Sequence, residues 1–178
     1  TFSSRGLGDV YKRQVSMGDE HVDGTGLRSV ALDALLNTDF YPASGQKRLI
    51  SMIENRPDWC LSRQRAWGVP IPVFYHKQTG EPLRDQAVVD RIVSAFAEEG
   101  CDVWFTSPAA RFLGADYNEA DYIQVKDIAD VWFDSGSTHA FVLETREDLQ
   151  SPADLYLEGS DQHRGWFQSS LLTSVAVN

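Results

Sequence analysis

Residues 155–168 read LYLEGSDQHRGWFQ and concentrate more usable chemistry than any other stretch of the 178-residue chain. Two carboxylates (Glu158, Asp161), the amide of Gln162 and the backbone N–H groups of Gly159 and Ser160 fall together ahead of an apolar helical pattern. A ligand carrying ribose hydroxyls and an ammonium would find acceptors in those carboxylates, and the start of a helix favours its anionic part. The plain alternative is a surface helix capped by Ser160 or Asp161. Trp166 and Phe167, so close to a polar corner, suit a pocket better than a cap.

Two further strings carry candidate chemistry. Residues 55–72, NRPDWCLSRQRAWGVPIP, combine Arg63 and Arg65 with Trp59 and Trp67. Guanidinium groups make bidentate contacts to carboxylate or phosphate, and tryptophans offer large flat apolar faces. Core tryptophans and surface arginines are the competing reading. Within residues 130–138, DVWFDSGST, the stretch 134–137 fits a tight loop in which the Asp134 side chain bonds to backbone, and a hinge is at least as good a reading as a ligand contact. His139 follows without a partner in the sequence and is not assigned a catalytic role.

Local patterning indicates which elements must position these groups. Asp23, Gly24, Thr25 and Gly26 are turn formers. Leu27, Val30, Ala31, Ala34 and Leu35 then recur at helical spacing, and Leu49, Ile50 and Ile53 mark a second helix that stops near Asn55 because Pro57 pushes Arg56 out of the α region. Residues 69–75 read as extended chain, and Pro70 and Pro72 exclude a central ladder position there. Residues 77–80 form a turn. Val88, Val89, Ile92, Val93 and Phe96 define a third helix ended by Gly100. Ser107 and Pro108 start one short turn in an otherwise aperiodic stretch. At the C-terminal side, 155–157 reads as a short strand, 158–161 as a loop and 164–175 as a helix. That is the arrangement which presents ligand-binding groups at the edge of a parallel sheet.

Composition narrows the classes. No run approaches the roughly 18 apolar residues of a membrane span. Cys60 and Cys101 stand 41 positions apart with no CxxC or paired-histidine spacing, so no metal site is expected from this chain, and a reducing, cytoplasmic compartment fits. A net charge of −10 argues against broad electrostatic binding to nucleic acid. Residues 4–14, SRGLGDVYKRQ, match the translation of a transposase-type sequencing adapter, so residues 1–14 are expected to lie outside the fold. Arg5, Lys12 and Arg13 against Asp9 give that stretch +2, which leaves −12 on residues 15–178.

The three strings together resemble the branched-chain group of class I aminoacyl-tRNA synthetases. SRQRAWGVPIPVF is similar to the segment that re-enters the catalytic domain after an inserted editing domain. DVWFDSGST is similar to the next shared block, and LYLEGSDQHRGWFQSSL to one wall of the adenylate pocket. EGSDQHRGWF is closest in kind to the isoleucine-specific branch; valine enzymes carry a more apolar string of the GFDIIFFW kind, and leucine enzymes one nearer GGAEHAVLHL. The resemblance implies an α/β fold: the second half of a Rossmann-like class I synthetase catalytic domain with a small irregular connective insertion. Residues 15–58 would be the end of the inserted region and the return to the catalytic domain. Residues 59–178 would be part of the nucleotide-binding domain, with the insertion at about 76–125.

The resemblance further implies ATP, with Mg2+, and isoleucine and tRNA as substrates, with no membrane and no other protein partner. It places Glu158, Gly159, Asp161 and Gln162 around an isoleucyl-adenylate and Trp67 and Trp166 against the isoleucine side chain. No side chain need act as nucleophile, since the amino acid's carboxylate attacks the α-phosphate while the protein positions groups and stabilises charge. An apolar pocket separates side chains differing by one methylene only weakly, and the editing that compensates would lie upstream of residue 15. The His-Ile-Gly-His and Lys-Met-Ser-Lys-Ser blocks of such enzymes are absent from residues 1–178, so the chain by itself is expected to be inactive. A valine-type synthetase of the same group and a non-catalytic remnant or binding module are the alternatives.

Overall fold

A computed structural model describes residues 13–18 and 26–177. The stretch expected to lie outside the fold falls, over residues 1–12, outside the described residues, as do Asp23, Gly24 and Thr25 of the anticipated turn. In chain order the elements are β1 (Gln14–Val15), α1 (Leu27–Leu36), α2 (Ser44–Glu54), β2 (Trp59–Cys60), β3 (Ser62–Arg63), β4 (Phe74–His76), α3 (Gln86–Glu99), α4 (Val103–Thr106), α5 (Ala109–Leu113), β5 (Tyr122–Gln124), β6 (Ile128–Ala129), α6 (Val131–Gly136) and α7 (Trp166–Val177). A π-helical turn (His139–Leu143) and a 3₁₀ turn (Ser160–Arg164) lie between α6 and α7. Helix and strand are thus mixed. The described strands pair antiparallel in twos, β1 with β2, β3 with β6 and β4 with β5.

The chain divides into two compact units, the first made of Thr1–Leu61 and Asp130–Asn178 and the second of Ser62–Ala129. The first unit is built on α1, α2 and α7. Leu27, Ala31 and Leu35 of α1 and Leu49 and Ile53 of α2 fall one or two turns apart, so each helix buries a single stripe, and the stripes meet Leu172 of α7 together with Met17 and Trp59. Helix α2 ends at Glu54 with Asn55 in the C-cap position, as Pro57 requires. Arg28 of α1 closes that end, donating to the carbonyls of Ile53 and Glu54 in the last turn of α2 and to that of Arg56 just beyond it. At the edge of this unit Gln14 pairs with Cys60, and the Arg13 carbonyl accepts from Leu61 N–H at 2.7 Å.

The second unit has its own core of Phe74, Val88, Ile92, Ala95, Val103, Trp104, Phe112 and Leu113. Trp104 is fully buried, and its indole N–H is satisfied by the Val125 carbonyl at 2.6 Å, as a buried tryptophan requires. The 77–80 turn closes on itself with Gly80 N–H donating to His76 O at 2.8 Å. Gly80 has φ +71°, a left-handed conformation that favours glycine. Helix α3 opens on Asp85, whose carboxylate accepts from the N–H groups of Ala87 and Val88, and ends at Gly100 with φ +82°.

Three local expectations change. Residues 155–157 form no strand, and Leu155 and Leu157 are exposed by 74% and 77%; a strand is defined by its partner, and none of the described residues provides one. The stretch 134–137 is not a tight loop but the end of a short helix, α6, which the Asp130 side chain caps by accepting the Trp132 N–H at 3.2 Å. The turn begun near Pro108 starts one residue later than expected, at Ala109.

Candidate functional site

The polar corner before α7 is a 3₁₀ turn whose backbone is closed by Gln162 N–H to Gly159 O and Gly165 N–H to Gln162 O, both at 3.0 Å. Neither Ser160 nor Asp161 caps the helix that follows. Gln162 does: its side-chain Oε1 accepts the Trp166 N–H at 3.0 Å, and its Nε2 donates to Asp161 Oδ2 at 3.1 Å. One side chain therefore closes the first turn of α7 and orients the neighbouring carboxylate. Glu158 and Asp161 are exposed, and the Glu158 carboxylate accepts from the Gly159 N–H at 3.3 Å. Glu158, Gly159, Asp161 and Gln162 are thus brought to one corner, with both carboxylates facing solvent at the positive end of α7.

The corner is seated from below. His163 is 8% exposed; its Nδ1 lies 2.7 Å from Ser160 O, and its ring meets Phe167 edge-on at 5.5 Å. The opposite ring nitrogen lies against Gly45 of α2, where an added Cβ would sit 2.9 Å from it, so this position demands glycine.

The apolar side of the site is aromatic. The Trp166 ring stacks on Tyr156 at 4.4 Å and 29°, and its indole N–H donates to Ser135 O at 2.9 Å. The Tyr156 hydroxyl pairs with Ser170 Oγ at 2.5 Å, and burial pushes its pKa up. Trp132 of α6 sets its ring edge against Gly165, where a Cβ would lie 2.9 Å from Cη2. Helices α6 and α7 approach closely because Gly136 backs onto Ser169, where a Cβ would come within 2.9 Å of backbone, and Thr173 Oγ1 donates to Gly136 O at 2.7 Å. Trp132 is thus a neighbour of the Trp166 corner that sequence reasoning passed over. Its signal was the WF pair of DVWFDSGST, which only the α6–α7 contact makes meaningful. Trp67 lies in the second unit and is 90% exposed.

Of the other candidates, Arg63 donates to the Ser62 carbonyl at 3.0 Å, and Arg65 is exposed. Asp134, raised above the ordinary carboxylate range by burial and then by the charge of Asp130, lies within α6. His139 has Nδ1 3.1 Å from Gly136 O, and its Nε2 is buried without a hydrogen-bond partner. It lines a cavity of about 130 Å³ with Trp59, Phe133 and Leu172. Among the described residues no group of three or more His, Cys, Asp or Glu side chains could hold a metal ion, and no helix is long and apolar enough to cross a membrane.

Against known proteins, the family described as tRNA synthetases class I (I, L, M and V) matches residues 15–178. The chain belongs to that family. Among curated relatives of this class I synthetase segment, the isoleucine–tRNA ligase of Gluconobacter oxydans (strain 621H) is 64% identical over 157 residues, 88% of this chain and 16% of the relative. That of Pelagibacter ubique (strain HTCC1062) is 60% identical over 156 residues, 88% and 17%. That of Brucella abortus (strain 2308) is 65% identical over 156 residues, 87% and 16%. The segment thus spans about a sixth of the length of the curated relatives it matches.

Proposed function

We propose that this chain carries one wall of the isoleucyl-adenylate site of a cytoplasmic isoleucine–tRNA ligase, within the second half of a Rossmann-like catalytic domain. The observation that carries the reading is the corner before α7. Two solvent-facing carboxylates, Glu158 and Asp161, stand beside the backbone of Gly159 at the head of a helix capped by Gln162, in a chain 64% identical to an isoleucine–tRNA ligase. Glu158 and Asp161 accept from the ammonium and ribose hydroxyls of the adenylate. Gly159 leaves its backbone open to approach, and Gln162 fixes both Asp161 and the first turn of α7. Trp166, stacked on Tyr156 and flanked by Trp132, faces the aliphatic side chain. Trp67 is assigned to the same side chain on family resemblance alone.

The whole enzyme would take ATP with Mg2+, isoleucine and tRNA; the roles given to this chain involve no metal ligand. Activation needs no covalent nucleophile, so these residues act by positioning and charge stabilisation. The test is isoleucine-dependent ATP–pyrophosphate exchange. The full-length protein containing this segment should show it, and the 178-residue chain, which holds neither the His-Ile-Gly-His nor the Lys-Met-Ser-Lys-Ser block, should not. A full-length protein that exchanges only with valine would transfer the reading to a valine-type enzyme. One that exchanges with no amino acid would make it a binding module.

A further inference from the structure

Beneath the aromatic wall lies a polar cluster to which the adenylate reading gives no part. Asp130 is 7% exposed, and its two oxygens are committed separately: Oδ1 accepts the Trp132 N–H at the start of α6, and Oδ2 accepts the Trp59 indole N–H, both at 3.2 Å. Its backbone N–H donates to Leu61 O at 2.8 Å. Three residues before Trp59, Arg56 lays its guanidinium over the Trp59 ring at 5.4 Å and donates from Nη1 to Gln168 Oε1 at 2.5 Å. Gln168 is 7% exposed and stands two residues after Trp166 on α7. Burial lowers the Arg56 pKa from its ordinary value, and the charge of Asp130 opposes that shift in part. The backbone of this stretch is held in turn by Arg28, which donates to Arg56 O at 2.9 Å.

We infer that Arg56, Asp130 and Gln168 form a polar clamp that fixes α6 and α7 to the 56–59 stretch and so positions Trp132 and Trp166. The use of those two tryptophans rests on the adenylate reading; the clamp itself does not. Its logic is geometric. One arm grips the N-terminus of α6 two residues before Trp132, and the other grips α7 two residues after Trp166. Both arms start from a four-residue stretch stiffened by Pro57 and by the Arg56–Trp59 stack. A buried polar group left unpaired is costly, so neither arm can slip without stranding its partner. The three are positioning residues.

The 178-residue chain labelled with 5-fluorotryptophan tests this directly, its five ¹⁹F resonances being assigned from single Trp→Phe variants. Asp130→Asn keeps the side-chain volume and an acceptor for the cap but removes the charge; Gln168→Leu removes the α7 arm. Each should move the Trp132 and Trp166 resonances by more than a linewidth in the folded protein. Leu35→Ala, a core truncation on α1 (Leu35 is 3% exposed), should lower the melting temperature and leave both resonances in place. The inference fails if both clamp variants leave the two resonances at their wild-type positions, or if Leu35→Ala displaces them as far. Should Asp130→Asn not fold, Gln168→Leu decides alone. Neither isoleucine nor ATP enters the measurement, so loss of the adenylate reading would not alter its outcome.

Discussion

The indole N–H of Trp166 donates to the backbone carbonyl of Ser135 at 2.9 Å, which joins the first residue of α7 to the body of α6 across 31 positions of sequence. The bond fixes one edge of the Trp166 ring, while Tyr156 stacks on its face. The tryptophan is oriented by two contacts of different chemistry, and the substitutions below are chosen to separate such contacts.

Glu158 touches little. Its carboxylate is exposed and accepts from the adjacent Gly159 N–H at a long 3.3 Å. Glu158→Gln should therefore leave the melting temperature of the chain unchanged within error. On the adenylate reading, the same change in the full-length protein would remove a charge-assisted hydrogen bond to the amino acid, worth about 1.5–3 kcal/mol. Adenylate formation should fall on the order of ten- to a hundredfold, equally for isoleucine and valine. A change confined to the ratio of the two amino acids would contradict the role given to Glu158.

Gly165 is required by its neighbours. A Cβ there would lie 2.6 Å from Gln162 Oε1 and 2.9 Å from Trp132 Cη2, so Gly165→Ala must displace the α7 cap or the Trp132 ring. Overpacking of this kind costs about 1–3 kcal/mol. Denaturant unfolding of the variant chain should show a midpoint lowered accordingly, and a midpoint equal to wild type would show that the corner is looser than its geometry.

How much of this was legible beforehand depends on the range over which each feature is encoded. Helices α1, α2 and α3 could be read because Leu27, Ala31 and Leu35, or Val88 and Ile92, repeat within one element, and Pro57 and Gly100 mark the ends locally. Helix α6 could not, since six residues give too few turns for a period to show, and its cap is Asp130 rather than the Asp134 of the DSGS string. Residues 155–157 have strand-like composition, but pairing belongs to two segments and no composition supplies the second. The cluster of Glu158, Gly159, Asp161 and Gln162 was visible as chemistry; that Gln162 is the cap was not, because its side chain reaches four residues ahead to the Trp166 N–H. Least legible was the clamp, in which Arg56 and Gln168 meet across 112 positions.

The α3 N-cap predicts an acid response in the second unit. Asp85 accepts from Tyr117 Oη at 2.6 Å and from the N–H groups of Ala87 and Val88, and these bonds, the Tyr117 one first, hold its carboxyl below the ordinary carboxylate range. A carboxylate with a depressed folded-state pKa contributes stability above its unfolded value and loses it as pH falls through the folded value. Wild type should exceed Asp85→Asn in melting temperature at about pH 7, and the gap should close towards about pH 3. A gap of constant size over that range would mean that the ionised form of Asp85 contributes nothing.

Trp166 allows the two contacts on its ring to be tested apart. Trp166→Phe keeps an aromatic face for Tyr156 but removes the donor to Ser135 O. That carbonyl then loses a bond whose net contribution is about 0.5–1.5 kcal/mol, and the chain should melt slightly lower. On the adenylate reading, a phenyl ring no longer tied to α6 in the full-length protein should still cover the aliphatic side chain, so isoleucine should be activated with a raised KM and a nearly unchanged preference over valine. Trp166→Ala removes the face as well. Isoleucine fills an apolar wall more completely than valine by one methylene, worth roughly 0.8 kcal/mol when fully buried, so losing the wall should cost isoleucine more and narrow the ratio of the two kcat/KM values. Exchange kinetics with both amino acids, measured on both variants, give the comparison. If Trp166→Ala slows both amino acids alike while Trp166→Phe alters their ratio, Trp166 acts through its bond to Ser135 rather than through its face, and the selection of the side chain must be sought on another residue.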